Sequence, residues 1–157
     1  MMARALLSFL LLPGIVAGLV PWLLVRSDPW RGRGWMPGFI VLGIGLGVLL
    51  WCTVAFYQRG QGTLAPWDPP QHLVVSGLYR HTRNPMYIGV LLTIWGWALA
   101  TTSPILGIYG MVCAAAFHLR ILFYEEPALS RLFGKEWDEY VTNTPRWMPR
   151  FNASFGR

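Results

Sequence analysis

The stretch WMPGFIVLGIGLGVLLWCTVAFY, from Trp35 to Tyr57, holds no formally charged residue and ends on two aromatic rings that suit the headgroup level of a bilayer. At a rise near 1.5 Å per residue, about 20 apolar residues cross a hydrocarbon core about 30 Å thick, so this run can span one as a helix. On its N-terminal side, Ala5 to Val25 is also uncharged. That run is longer than the apolar region of a signal peptide and lacks a small-x-small cleavage site, so it reads as a retained first span. On the C-terminal side, Pro85 to Leu119 is uncharged and too long for one ordinary span, but Thr101, Thr102, Ser103 and Pro104 break it into a helical hairpin. The first arm, Pro85 to Ala100, is short for a crossing. Pro104 suits the start of the returning arm, which continues through His118 toward Tyr124.

After Pro127, the positions Leu129, Leu132, Phe133, Trp137, Tyr140 and Val141 give an apolar face at helical spacing, with Gly134 dividing two short helices. This face lies on the membrane interface or roofs the bundle. The expected fold is an all-α integral membrane protein: one domain over residues 1–157, a four-span helical bundle with an N-terminal two-helix hairpin over residues 1–57 and a C-terminal amphipathic helical tail. Gly14 and Gly18 in the first run, and Gly43 and Gly47 in the second, form small-residue stripes along which those two helices are expected to pack, unless glycine is simply frequent in membrane helices.

With 54% hydrophobic and 13% charged residues and a mean hydropathy of +0.41, the chain carries about half the charge usual in a soluble domain. Its formal net charge of +6 comes with no block of Arg or Lys, so membrane lipid phosphates are the expected counterions and nucleic acid is not an expected partner. Cys52 and Cys113 lie within apolar runs and read as small packed hydrophobes, with no metal or redox spacing. Arg59, Arg80 and Arg83 in the middle loop, and Arg131, Lys135, Arg146, Arg150 and Arg157 in the tail, contrast with an uncharged hairpin turn. That places both termini, the middle loop and the tail in the cytoplasm, although Arg26, Arg31 and Arg33 of the first loop run against the rule.

Three polar features fall on that one side and are expected to converge: GLYRHTRNPMYIG from Gly77 to Gly89, the pair Glu125-Glu126, and Arg146 within PRWMP, residues 145–149. Asn84 and Pro85 alone read as a helix start, with Asn capping and Pro in the first turn. The crowd of Tyr79, Arg80, His81 and Arg83 needs another reason. Glu125 and Glu126 close the expected helix, where the dipole favours cations; a bound cation, an arginine such as Arg146 or Arg83, or a ligand's hydroxyls would favour them, and a solvated interface pair is the plainer alternative. His118, seven residues before Glu125, reads as a structural hydrogen-bonding residue or a cavity wall rather than a metal ligand, since no second ligand has suitable spacing.

In this order, the Gly77–Gly89 segment, Glu125-Glu126, Phe133-Gly134, Trp137, Tyr140 and the PRWMP segment resemble the catalytic half of the isoprenylcysteine carboxyl methyltransferase family, which shares this region with the phospholipid methyltransferases. The likeness covers the catalytic region 77–150. Asn84 stands where many members have histidine, so any imidazole role passes to the amide or is absent. The resemblance implies an S-adenosylmethionine-dependent methyltransferase with its site on the cytoplasmic side of an inner or plasma membrane. Tyr79, Arg83, Asn84, Pro85, Tyr87, Glu125 and Glu126 would then hold the cofactor, Tyr79 and Tyr87 as aromatic walls, Asn84 as donor and the glutamates as acceptors. Arg146 and Glu126 are the catalytic candidates, with Arg146 gripping an anionic acceptor or else pinning the tail by an ion pair to a glutamate. No metal is implied, and no Gly-x-Gly-x-x-Gly follows a strand pattern. The implied acceptor is a lipophilic or membrane-delivered small molecule, an isoprenylcysteine-like carboxylate among them. A membrane NADPH-dependent reductase of the steroid-reductase type is the second reading. A non-enzymatic membrane subunit or transporter is the third, disfavoured because the middles of the first two runs hold no polar pathway.

Overall fold

A computed structural model describes residues 10–32, 34–55, 58 and 72–150, and among them every regular element is helical. The start of the first apolar run, Arg33, Tyr57, Arg59 and Arg157 lie outside the described residues. A π-helical segment, Leu10–Leu19, with Pro13 inside it, runs into helix α1 (Val20–Ser27). Helix α2 is Met36–Ala55, α3 is Pro85–Thr101 and α4 is Pro104–Arg120. A π turn, Ile121–Glu125, joins α4 to α5 (Glu126–Phe133), and α6 (Lys135–Asn143) follows Gly134.

Two of these helical bodies are long and apolar enough to cross a membrane: α2, and the continuous 30-residue helix Pro104–Phe133. Only 28% and 22% of their most apolar windows are buried within the chain, whereas the core helix of a soluble protein would be mostly covered. Pro13–Ser27 and Pro85–Thr101 are shorter apolar helices.

Helices α2 and α3 make the closest contact, antiparallel and backbone to backbone. Gly38, Leu42, Gly45 and Leu49 of α2 face Ala100, Gly96, Thr93 and Gly89 of α3 in turn, so each pair holds at least one small residue and the backbones approach closely. A Cβ at Gly45 would stand 2.5 Å from the Thr93 amide nitrogen, and Cβ atoms at Gly38 and Gly96 would overlap the backbone at Ala100 and Leu42. Gly18, Gly43 and Gly47, expected with Gly14 to pack the first run against α2, each face open space and take no part in it. The contact falls on the other side of α2, where its small residues recur every seven positions and match the spacing on α3.

One end of the bundle is closed by the first loop and the hairpin turn. The Trp35 amide donates to Ala100 O at 3.1 Å, the Gly32 amide donates to Thr102 Oγ1 at 2.9 Å, and the Ser103 hydroxyl donates to the buried carboxylate of Asp28. Ser103 also caps α4 by accepting from the Leu106 amide, and Pro104 occupies the first turn as expected.

At the other end the returning arm does not stop at Tyr124. Pro127 lacks an N–H, and the backbone accommodates it by widening into the π turn rather than by ending the helix. Glu125 and Glu126 therefore sit within a continuous helix, and the expected conflict with a helix C-terminus does not arise. Gly134, at φ 52°, then reverses the chain into α6. Trp137 and Tyr140 of α6 are buried and the Tyr140 hydroxyl donates to Tyr79 O at 2.7 Å, whereas Leu132 is exposed.

Substitution to alanine should change sign between the two glycine faces. Gly45→Ala and Gly96→Ala force apart a backbone contact and are expected to destabilise by about 1–3 kcal/mol. Gly43→Ala and Gly47→Ala enter open space and should stabilise by up to about 1 kcal/mol through helix propensity. Thermal unfolding in one detergent would check the opposite directions.

Candidate active site

The polar end is built on the segment that enters α3. Gly77, at φ +64° and against the Trp51 ring, turns the chain into a 3-10 turn (Gly77–Arg80) that buries Tyr79. Tyr79 packs with Cys52 and Val74 under Tyr140, so its ring is covered in this conformation, and burial pushes its phenol well above the ordinary range. Pro85 is buried in the first turn of α3.

Residues 145–150 form a strap along residues 81–84. The Arg83 amide donates to Pro145 O at 2.9 Å and the Arg150 amide to His81 O at 3.0 Å. The Thr82 hydroxyl reaches Arg146 O at 3.1 Å and Trp147 O at 3.2 Å. Asn84 precedes α3 but makes no side-chain cap; its Nδ2 donates instead to Arg146 O at 3.1 Å. The capping role expected of this residue is thus replaced by a link between the helix start and the strap. At the strap's centre, Trp147 Nε1 donates to His118 Nδ1 at 3.1 Å, so His118 is a hydrogen-bonding partner of the tail.

Glu126 ties the three sequence features together. Its Oε1 accepts from Arg83 Nη1 at 2.9 Å and Arg146 Nε at 2.8 Å, and its Oε2 accepts from Arg146 Nη2 at 2.8 Å. The Arg146 pairing is the bidentate fork, a strong form of charge-assisted hydrogen bond. The side chains of Arg83 and Glu126 are 11% and 18% exposed, against 30% for Arg146. The difference in depth moves the two guanidiniums oppositely: burial lowers Arg83 from its ordinary value, while the hydrogen bond to Glu126 raises Arg146. Arg83 Nε is buried with no hydrogen-bond partner among the described residues.

Glu125 points elsewhere. It accepts a short hydrogen bond from the Tyr87 hydroxyl and an ion pair from Arg120 Nε at 2.8 Å, and the Tyr87 ring lies 4.7 Å from that of Phe117. The structure thus gathers Arg83, Asn84, Glu126 and Arg146 into one knot and Tyr87 and Glu125 beside it, with Tyr79 beneath. Sequence reasoning missed Thr82, whose short hydroxyl gave no signal, and Arg120. Arg120 did leave one, as the sole formal charge between Arg83 and Glu125. An open cleft lined by His72, Leu73, Leu132, Phe133 and Glu136 contains none of these residues.

Residues 37–136 match a family described as phospholipid methyltransferase, a match that takes in α2 to α5 and stops before Arg146. The chain is 37% identical, over 49% of its length, to a phosphatidylethanolamine N-methyltransferase of Yarrowia lipolytica, of which it covers 8%. It is 32% identical, over 51% of its length, to protein-S-isoprenylcysteine O-methyltransferase B of Arabidopsis thaliana, of which it covers 41%. Over 90% of its length it is 29% identical to cobalt-zinc-cadmium resistance protein CzcN of Cupriavidus metallidurans, of which it covers 63%. The chain therefore spans less than two thirds of the length of each of these relatives. No solved structure matches it.

The two glutamates should respond differently to loss of charge. Glu126→Gln leaves two guanidiniums facing each other and is expected to cost about 1–3 kcal/mol and to expose the strap, so that trypsin cuts at Arg146 and Arg150 faster. Glu125→Gln, which touches no strap residue, should leave that cleavage rate unchanged. Timed digestion of both variants beside the wild type measures this.

Proposed function

The chain belongs to the phospholipid methyltransferase family, and from that premise we propose that it is a membrane methyltransferase using S-adenosylmethionine to methylate a lipophilic or membrane-delivered acceptor. The observation that carries the reading is the convergence of Arg83, Asn84, Tyr87, Glu125, Glu126 and Arg146 at one end of the bundle. The residues fit the cofactor's chemistry: the unpartnered Arg83 Nε suits its carboxylate, and half-buried glutamates suit its ribose hydroxyls or its positive sulfur. When bound, S-adenosylmethionine would supply an electrophilic methyl group with a neutral thioether as its leaving group.

The side chains need only hold the two partners in line and keep water out. Glu125 is the better placed acceptor for the cofactor, since both oxygens of Glu126 already accept from arginines. Glu126 keeps Arg83 and Arg146 at fixed positions, and Arg146, half covered, grips an anionic acceptor with the donors its fork leaves over. Tyr87 and Pro85 line the entry to α3, Asn84 fixes the strap in the place of an imidazole, and Tyr79 supports the floor. An isoprenylcysteine-like carboxylate is one acceptor of suitable chemistry. In this reading the four apolar helices all cross an inner or plasma membrane, the amphipathic tail caps the bundle, and the catalytic region 77–150 faces the cytoplasm.

Calorimetry on the purified protein should find binding of S-adenosylmethionine or its demethylated product and weaker or absent binding of NADPH; the reverse order would instead support a reductase. Glu125→Gln is expected to weaken cofactor binding. Arg146→Lys keeps the charge but loses the fork, so cofactor affinity should change little while turnover with an anionic acceptor falls about tenfold. Unchanged turnover in Arg146→Lys would remove its gripping role.

A further inference from the structure

Three arginines reach the glutamate pair, and they are not equally committed. Arg83 is nearly covered and bound to Glu126, and Arg146 spends its fork on the same carboxylate. Arg120 touches Glu125 through Nε, and its side chain is 41% exposed. It stands on the outward face of the long helix Pro104–Phe133, between Leu119, Phe123 and Tyr124, all exposed, with its guanidinium 5.6 Å from the Tyr124 ring. It is also the sole formal charge in the chain from Asn84 to Tyr124. An ionised group on the apolar face of a membrane helix costs about 2.5–3.5 kcal/mol at the bilayer centre and less toward the edge, so it stays only where something compensates it. Glu125 compensates one edge of the guanidinium, and the exposed edge remains.

We propose that Arg120 binds the anionic group of a membrane amphiphile at the lipid-facing mouth of the site and so selects the acceptor, an inference that rests on the methyl-transfer reading above. The chemistry is complementary on both halves of such a ligand. A phosphate or carboxylate meets the exposed edge of the guanidinium, and the apolar chain lies along Leu119 and Phe123 without leaving the bilayer. The anion then sits one side chain away from Glu125 and Tyr87, which share a hydrogen bond, so the acceptor's head is delivered beside the proposed cofactor acceptor. The anion and Glu125 compete for one cation. Removing the Glu125 charge should therefore strengthen anion binding even as it weakens cofactor binding.

Binding to the purified full chain in a neutral detergent, with two matched pairs of probes, tests this and separates the sources of the anion. One pair is S-farnesylcysteine with a free carboxylate and its methyl ester; the other is a short-chain phosphatidic acid and the diacylglycerol that lacks its phosphate. In the wild type at least one anionic probe should bind about tenfold or more tighter than its neutral partner, and the pair that shows it identifies carboxylate or phosphate. Arg120→Gln should lower that preference several-fold, to what Arg146 alone sustains, Arg120→Lys should keep more of it, and Glu125→Gln should enlarge it. Thermal unfolding of Arg120→Gln should stay close to wild type. No preference in either pair, a preference undiminished in Arg120→Gln, or a joint loss of stability and of binding to charged and neutral probes alike would overturn the proposal. A wild type that binds no S-adenosylmethionine yet keeps an Arg120-dependent preference would overturn the methyl-transfer reading and leave the anion site standing.

Discussion

The antiparallel contact of α2 with α3 is the constraint on which the rest of the structure depends. In the four-span reading, hydrocarbon tails are as apolar as leucine, so burial alone gives two helices in a bilayer little reason to associate, and close packing must supply it. Here it does so by size complementarity, with Leu42 entering the space left by Gly96 and Leu49 that left by Gly89, while Gly38 and Gly45 admit the backbone of α3. The same contact fixes the height of α3 along α2. That sets where Arg83 and Asn84 emerge at the polar end, and where Ala100 receives the Trp35 amide at the opposite end.

With α3 in place, Glu126 decides how the C-terminal part closes over it. A carboxylate bound by two guanidiniums neutralises part of a charge cluster that would otherwise repel itself, and it joins three segments far apart in sequence. The strap adds only backbone and short side-chain hydrogen bonds, from Thr82, Asn84 and the Arg83 amide. These are directional, so they set register, and the ion pairs supply the hold. The side chains of Arg83 and Glu126 are themselves largely covered, which makes their pairing stronger than an exposed one would be.

Much of this was legible in the sequence. Uncharged runs located the apolar helices, Ser103 and Pro104 marked the hairpin, and Gly134 marked the break in the tail. The helix contact was not legible, because α2 carries glycines on two faces and both have a plausible spacing. Gly43 and Gly47 match the Gly14 and Gly18 pair, whereas Gly38 and Gly45 match Gly89 and Gly96, and only three-dimensional pairing chooses between them. The end of the long helix was not legible either: the returning arm reads as closing near Tyr124, whereas a π turn ahead of Pro127 carries the helix on to Phe133. Asn84 followed its cap statistics in position but not in bonding, since the nearby carbonyl of Arg146 competes for its amide.

The glutamate pair holds the deepest ambiguity of the sequence. Two identical neighbours on a helix point about 100° apart, so they cannot share one role unless a ligand bridges them. In this chain the angle separates them fully: Glu126 turns inward to Arg83 and Arg146, and Glu125 turns toward Tyr87 and the exposed Arg120. The inner acid is saturated by donors of its own chain and fixes the architecture. The outer acid has a neutral donor on one side and a half-exposed cation on the other, both of which can exchange partners when a ligand arrives. In the methyl-transfer reading, chemistry at this end of the bundle therefore depends on Glu125 being adjustable, and that adjustability depends on Glu126 being fixed.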